Sequence, residues 1–289
     1  MPLTLLSVRS LCTLTCCTSP DRLRDENMAP LMIEELIGAR LYTGPMYLKY
    51  NSILRNIGKL RLQTDDSSTL TGDELVHQLK KMEGDGNAAT HGNLYITTLH
   101  VINSAVIKLG KLTRATKVYR GISKRTLPAE LQRPNLYNVR GGIEFGFTSC
   151  SLSREEALKY AKSANSDPNG TPILMEMEMG MIDRGADLSW LSQYPAEQEI
   201  LFSPLTGLEF TSHRIDAELL VVAIRPSVNL QSLTIEQVVA KMQKSHTQLL
   251  HLLTDNLRFA SVPQKALEPL VTLKMEAQHR EPEVTHPAE

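Results

Sequence analysis

Cysteine is scarce in this chain and poorly placed for cross-linking. Cys12, Cys16 and Cys17 crowd the first 17 residues, and Cys150 stands far away. No CxxC pair and no Cys/His pair at zinc-finger spacing occurs, which excludes a disulfide framework and a zinc finger. A reducing compartment is expected. Aromatic residues make up only 5%, too few for base-stacking platforms. Charge of either sign is not in excess: 31 Lys and Arg against 32 Asp and Glu leave a net charge of −1. Neither nucleic acid nor an anionic membrane surface has an electrostatic handle here. No apolar run reaches the roughly 18 residues of a membrane helix, so no membrane span is expected. The P-loop pattern, the glycine fingerprint of dinucleotide-binding folds, HExxH, DxDxDG and GxSxG are all missing. Eight histidines are scattered, none at metal-ligand spacing to a carboxylate motif, and no metal is expected.

What is present is ordinary globular composition, 42% hydrophobic and 22% charged. Residues 1–30 read as a disordered leader. The mildly apolar opening lacks a basic flank and is interrupted by Arg9, against a signal peptide. No anchoring helix flanks Cys16 and Cys17, against an acyl anchor. Residues 31–115 read as helical. Leu48, Ile53, Leu54 and Ile57 recur near helical spacing, Asp73–Met82 forms a short helix, and Asn93 caps a longer one carrying Leu99, Ile102, Val106 and Leu109.

The character then changes. Strand-like runs occupy 117–122, 142–149, 173–178, 199–202, 208–211 and 217–224. One helix interrupts them, announced by Ser153 and Glu156; a last one follows Thr234 and Gln237. Helices first and short strands afterwards argue an α+β fold rather than a doubly wound parallel sheet. The expected division is a core over 116–260, closed by the last helix, and a disordered tail over 261–289.

Three segments carry polar residues where chemistry is conceivable: Val118-Tyr119-Arg120-Gly121, Gly146-Phe147-Thr148-Ser149-Cys150-Ser151 and Glu197-Gln198-Glu199. Singly each has a plain explanation. An arginine at a strand end is usually solvated, a serine before a helix usually caps it, and two glutamates usually face water. The glutamate pair is the sharpest signal. If the strand starts at Glu197, Glu197 and Glu199 share one face. Carboxylates that close repel, and one tends to keep its proton. Trp190, the only tryptophan, precedes them with Tyr194 on what reads as a loop. A loop anchor tucked into the core is an equal reading for Trp190.

Taken in order, the three segments resemble the Arg, Ser-Thr-Ser and Glu-x-Glu motifs of the R-S-E branch of arginine-directed mono-ADP-ribosyltransferases. That family includes vertebrate ectoenzymes and several bacterial toxins. Tyr42-Thr43-Gly44-Pro45, Tyr50-Asn51 and Leu54-Arg55 are similar to the helical region of the eukaryotic members. The resemblance implies a split mixed β-sandwich with an N-terminal helical region. It implies NAD as co-substrate, no metal, and a protein acceptor bearing an arginine. Arg120, Gly121, Ser149, Ser151 and Glu199 would line the NAD site. Arg120 would hold the pyrophosphate, Gly121 would let the backbone approach the nicotinamide amide, and Ser149 would fix the rotamer of Glu199. Glu199 would stabilise the oxocarbenium ion. Glu197 would receive the acceptor guanidinium, with Trp190 and Tyr194 on the recognition loop. Cys150 stands where the family often has threonine. The paired cysteines of the secreted vertebrate enzymes are not evident, which favours an intracellular enzyme while leaving secretion open. Two alternatives stay beside the transferase: an NAD glycohydrolase and a catalytically silent NAD-binding module. Oligomeric state is not legible.

Overall fold

The computed structural model describes residues 28–63, 93–123, 129–134, 138–163, 171–260 and 262–279, with Leu23 and Leu127. The described residues fall into two compact units, divided between Ser232 and Leu233.

The first unit opens with helices. α1 (Ile33–Leu41) runs through a π-helical turn (Tyr42–Met46) into α2 (Tyr47–Gln63), and α3 is Ile96–Leu112. Gly44 leaves helical geometry and Pro45 follows it, which is why the chain bends there. Asn93 sits before α3 as expected, but its Oδ1 accepts from the Tyr95 N–H at 2.9 Å and the helix itself starts at Ile96. The expected helix over 73–82 lies outside the described residues.

Among the described residues eight strands follow: β1 (Lys117–Ile122), β2 (Gly141–Glu144), β3 (Thr148–Ser151), β4 (Ile173–Glu178), β5 (Ala186–Asp187), β6 (Glu199–Phe202), β7 (Thr206–Asp216) and β8 (Leu219–Ser227). A short helix, α4, is Ala129–Gln132, and α5 is Arg154–Ala161. The strand order is β2-β7-β8-β4-β1-β3-β6-β5, mixed because β4 and β8 run parallel while the other pairs are antiparallel. One residue pair, Tyr119 with Ser151, joins β1 to β3. The sheet therefore nearly divides there into a β3-β6-β5 half and a five-stranded half.

Packing follows that division. Cys150, Ile200 and Phe202 from one half meet Val118, Met175, Met177, Phe210, Val222 and Ile224 from the other in a shared core. The outer face of the small half, through Ala186 and Leu201, is covered by Leu36, Ala39, Ile102, Val106 and Leu109 of α1 and α3. α5 covers the large half through Ala157 and Ala161 on Leu174 and Val221. This is the α+β fold that the residue patterns imply, and the mixed-sheet sandwich with a helical N-terminal region that the family resemblance implies. An ion pair lies inside the helical layer. Lys108 Nζ sits 2.9 Å from Glu35 Oε2, both side chains fully buried. Lys108 also donates to the Pro30 carbonyl at 3.0 Å, and Ser104 donates to Glu35. A buried charge pair of this kind is tolerated only when such extra bonds satisfy it.

Two sequence expectations are corrected here. The apolar run 142–149 is two strands in different halves, β2 on β7 and β3 on β6. The chain turns between them because Glu144 Oε1 accepts the Gly146 N–H at 2.9 Å. The region from 261 is not all tail. The second unit holds α6 (Ile235–Phe259) and α7 (Gln264–His279). Leu267, Leu270 and Val271 recur at helical spacing across Pro269, with Leu267 buried. Thr234 and Gln237 cap α6 reciprocally, as their spacing predicts. Among the described residues no helix is long and apolar enough to cross a membrane.

Candidate active site

The pairing of β3 with β6 decides which side chains meet. Ser151 lies opposite Glu199 and Ser149 opposite Leu201. Residues two apart on a strand share a face. Ser149, Ser151 and Glu199 therefore share one, while Cys150 and Ile200 turn into the sandwich interior. Ser149 Oγ donates to Glu199 Oε1 at 2.6 Å. All four residues of β6 are buried, and Glu199 is only 5% exposed. Burial pushes its carboxyl up to about 7; the Ser149 hydrogen bond opposes the shift and nearby Glu197 adds to it.

Glu197 is not on the strand. It ends a 3-10 turn, Pro195–Glu197, and Gln198 takes a left-handed conformation (φ 46°) before β6 begins at Glu199. Proline sets the turn's entry and Gln198 reverses its exit, so strand geometry does not align the two glutamates. They still line one cavity. Two contacts fix Glu197: Ser151 Oγ donates to its carbonyl at 2.6 Å, and the Tyr160 hydroxyl donates to its Oε1 at 2.9 Å. Ser151 also accepts the Ser153 N–H at 2.9 Å, so its hydroxyl couples the start of α5 to the Glu197 turn. Burial first, and then Glu197, raises the Tyr160 phenol well above its usual value.

Arg120 lines the same cavity and donates from Nη1 to the Ser149 carbonyl at 3.3 Å. Gly121 lines it too, but its lack of a side chain serves packing. A Cβ there would lie 1.9 Å from the Ala157 carbonyl oxygen and 2.7 Å from the Ala161 nitrogen. Close approach of α5 by itself requires glycine here. Cys150 is buried and its thiol is pushed up to about 12 by burial, held back by Arg120. Its departure from threonine points into the core, where a hydroxyl would have no site to serve.

The opposite wall comes from α2 and the turn before it. Tyr47, Asn51 and Arg55 recur every fourth residue and line the cavity. Asn51 Oδ1 accepts the Phe147 N–H at 2.8 Å and its amide donates to the Tyr42 hydroxyl at 3.0 Å. Arg55 grips Glu144 with two bonds, 3.0 and 3.1 Å. Burial alone would raise the Glu144 carboxyl, but Arg55, the Gly146 N–H and Arg120 together hold it below the ordinary value. The enclosed volume is about 530 Å³, within the range of small-molecule sites.

Of the sequence-expected residues, Arg120, Gly121, Ser149, Ser151, Tyr194, Glu197 and Glu199 converge on this cavity; Trp190 does not. Trp190 Nε1 donates to the Asp187 carbonyl at 3.1 Å and its ring packs on the helical core. It anchors the loop, and Tyr194, 52% exposed, is the aromatic presented at the rim. The loop is strapped to the helical layer as well: Arg40 donates to the Leu191 carbonyl at 2.7 Å, and the Gln193 N–H donates to Thr43 Oγ1 at 3.0 Å. Sequence reading missed Tyr47 and Tyr160 as cavity-lining residues, and Glu144 as the carboxylate that holds Arg55. The four-residue spacing of Tyr47, Asn51 and Arg55 was the signal for that wall; Tyr160 has none.

The profile of the ADP-ribosyltransferase exoenzyme family matches residues 25–249. Among solved structures, the chain is similar to the Vis toxin, an ADP-ribosyltransferase from Vibrio splendidus, at 18% identity and a TM-score of 0.47, over 78% of this chain and 88% of that one. It is similar to the ADP-ribosyltransferase HopU1 of Pseudomonas syringae pv. tomato at 19% identity and a TM-score of 0.45, over 75% and 88%. The eucaryotic mono-ADP-ribosyltransferase ART2.2 aligns at 13% identity and a TM-score of 0.42, over 78% and 81%. No curated protein sequence matches significantly. With a family profile spanning most of its length, the chain belongs to the ADP-ribosyltransferase exoenzyme family.

Proposed function

We propose that this protein is a mono-ADP-ribosyltransferase that moves ADP-ribose from NAD to an arginine side chain of a protein acceptor and releases nicotinamide. The observation that carries this is the buried Glu199, held by Ser149 at 2.6 Å, with Glu197 and Arg120 on the same cavity. Arg120 supplies a permanent charge that forks to two oxygens, suited to a pyrophosphate. Cleavage breaks the bond between the ribose C1′ and the nicotinamide nitrogen, and the electron pair leaves with nicotinamide. The positive charge left on the ribose is opposed by the Glu199 carboxylate, a group that the fold has already desolvated and oriented.

A guanidine nitrogen of the acceptor then bonds to C1′ and loses a proton. Glu197 receives the guanidinium and helps that proton depart. A second carboxylate is what favours arginine, because a guanidinium demands a charged, forked partner. With water in place of the guanidine, the same steps make the protein an NAD glycohydrolase. Agmatine, a free guanidine, separates the two. In the transferase, agmatine is labelled from NAD, and Glu197→Gln loses that labelling while nicotinamide release continues. Labelling unchanged in Glu197→Gln removes Glu197 from its assigned role.

A further inference from the structure

We propose that Tyr160 is the positioning residue for the acceptor guanidinium, acting by fixing the carboxylate of Glu197. The proposal rests on the arginine reading of Glu197 and adds a residue to it. Glu197 ends a turn at the cavity edge, where a glutamate side chain is free to sample several rotamers. Among the described residues the Tyr160 hydroxyl, at 2.9 Å from Oε1, is the only hydrogen-bond donor to that carboxylate. One oxygen is thereby held and Oε2 is left for an incoming N–H.

The tyrosine is well placed to do this. Its side chain lines the cavity, yet the residue is 53% exposed, as expected of a group at the mouth rather than in the core. α5, which carries it, is tied to the Glu197 turn a second time through Ser151, which bridges the Ser153 N–H and the Glu197 carbonyl. α5 is seated on β1 by the missing side chain of Gly121. Helix and turn are thus registered through the backbone before the phenol makes its bond. The phenol stays protonated, and so remains a donor, through the physiological range: burial and Glu197 both favour its neutral form. Tyr47 and Tyr194 also line the cavity and are likewise exposed, giving the mouth aromatic faces on which a guanidinium can rest.

The test is Tyr160→Phe, which keeps the ring and removes the hydroxyl. Nicotinamide release and agmatine labelling are measured together on the full chain, because NAD cleavage is common to both. The loss of one hydrogen bond at the solvent-exposed mouth predicts that the ratio of labelling to hydrolysis falls about three- to tenfold, with a raised KM for agmatine. An unchanged ratio overturns the proposal. So does a loss of both activities in equal proportion, which is what mere loosening of the NAD site gives. The wild-type arm separates the two levels. If wild type releases nicotinamide and never labels agmatine, the arginine reading falls and takes this role of Tyr160 with it. If wild type labels agmatine and Tyr160→Phe does so with the same ratio, only the Tyr160 role falls.

Discussion

Glu199 is more comfortable in the fold with its proton than without it. Its folded value of about 7 stands above the ordinary 4.5, so the folded chain holds a proton that the unfolded chain releases. Its contribution to stability is therefore fully present below about 4.5 and declines as the pH rises towards 7. Glu199→Gln, neutral at every pH, should melt higher than wild type at pH 8 and lose that advantage near pH 4.5, as a pair of thermal scans would show. The same substitution should lower nicotinamide release by on the order of 10²–10³, because charge opposing the oxocarbenium ion is lost. Catalysis needs the ionised form, so wild-type release should rise with pH through about 7; a profile flat from pH 5 to 9 would contradict this. Arg120→Lys should raise the KM for NAD about tenfold or more, since an ammonium lacks the fork. At this scale the sequence was informative where motif order marked a residue, as for Arg120, Ser149 and Glu199. It was silent on Tyr160, whose bond to Glu197 depends on where a helix lands, and on the α5 backbone that leaves no room for a Cβ at Gly121.

Elements explain why those residues arrive together. Strand periods placed β1, β4 and β6 with their observed bounds, because alternating or continuous apolar runs leave little freedom of register. The turn at Pro195–Glu197 and the break at Gly146 were not legible as such, since the local bonds that make them are backed by partners distant in the chain: Ser151 on the Glu197 carbonyl for one, Asn51 against Gly146 for the other. Gly121→Ala should cost about 1–3 kcal/mol in urea unfolding, because its Cβ would meet backbone atoms of α5 that cannot rotate aside. In the helical layer, Lys108→Met leaves Glu35 buried and unpaired, and should cost about 3–5 kcal/mol. The Glu35 carboxyl is already raised, burial outweighing Lys108 and the hydrogen bonds to Ser104 and Met32. The variant should therefore recover part of its stability in acid, where that carboxyl protonates.

In the whole molecule, every residue lining the cavity lies between Tyr42 and Glu199, inside the unit that ends at Ser232. The division itself was not legible. The apolar stripe and cap of α6 read as a helix closing the core, and nothing in one helix's period says which partner it packs against. The α+β class was legible in the order and spacing of helices and strands, and the sandwich only through the motifs that carry the family resemblance. The most direct measurement is nicotinamide release from NAD, with and without agmatine, for wild type beside Glu199→Ala. An arginine-directed transferase gives release that rises with agmatine and vanishes in Glu199→Ala. Release indifferent to agmatine, or surviving in the folded variant, would contradict the function proposed for this cavity.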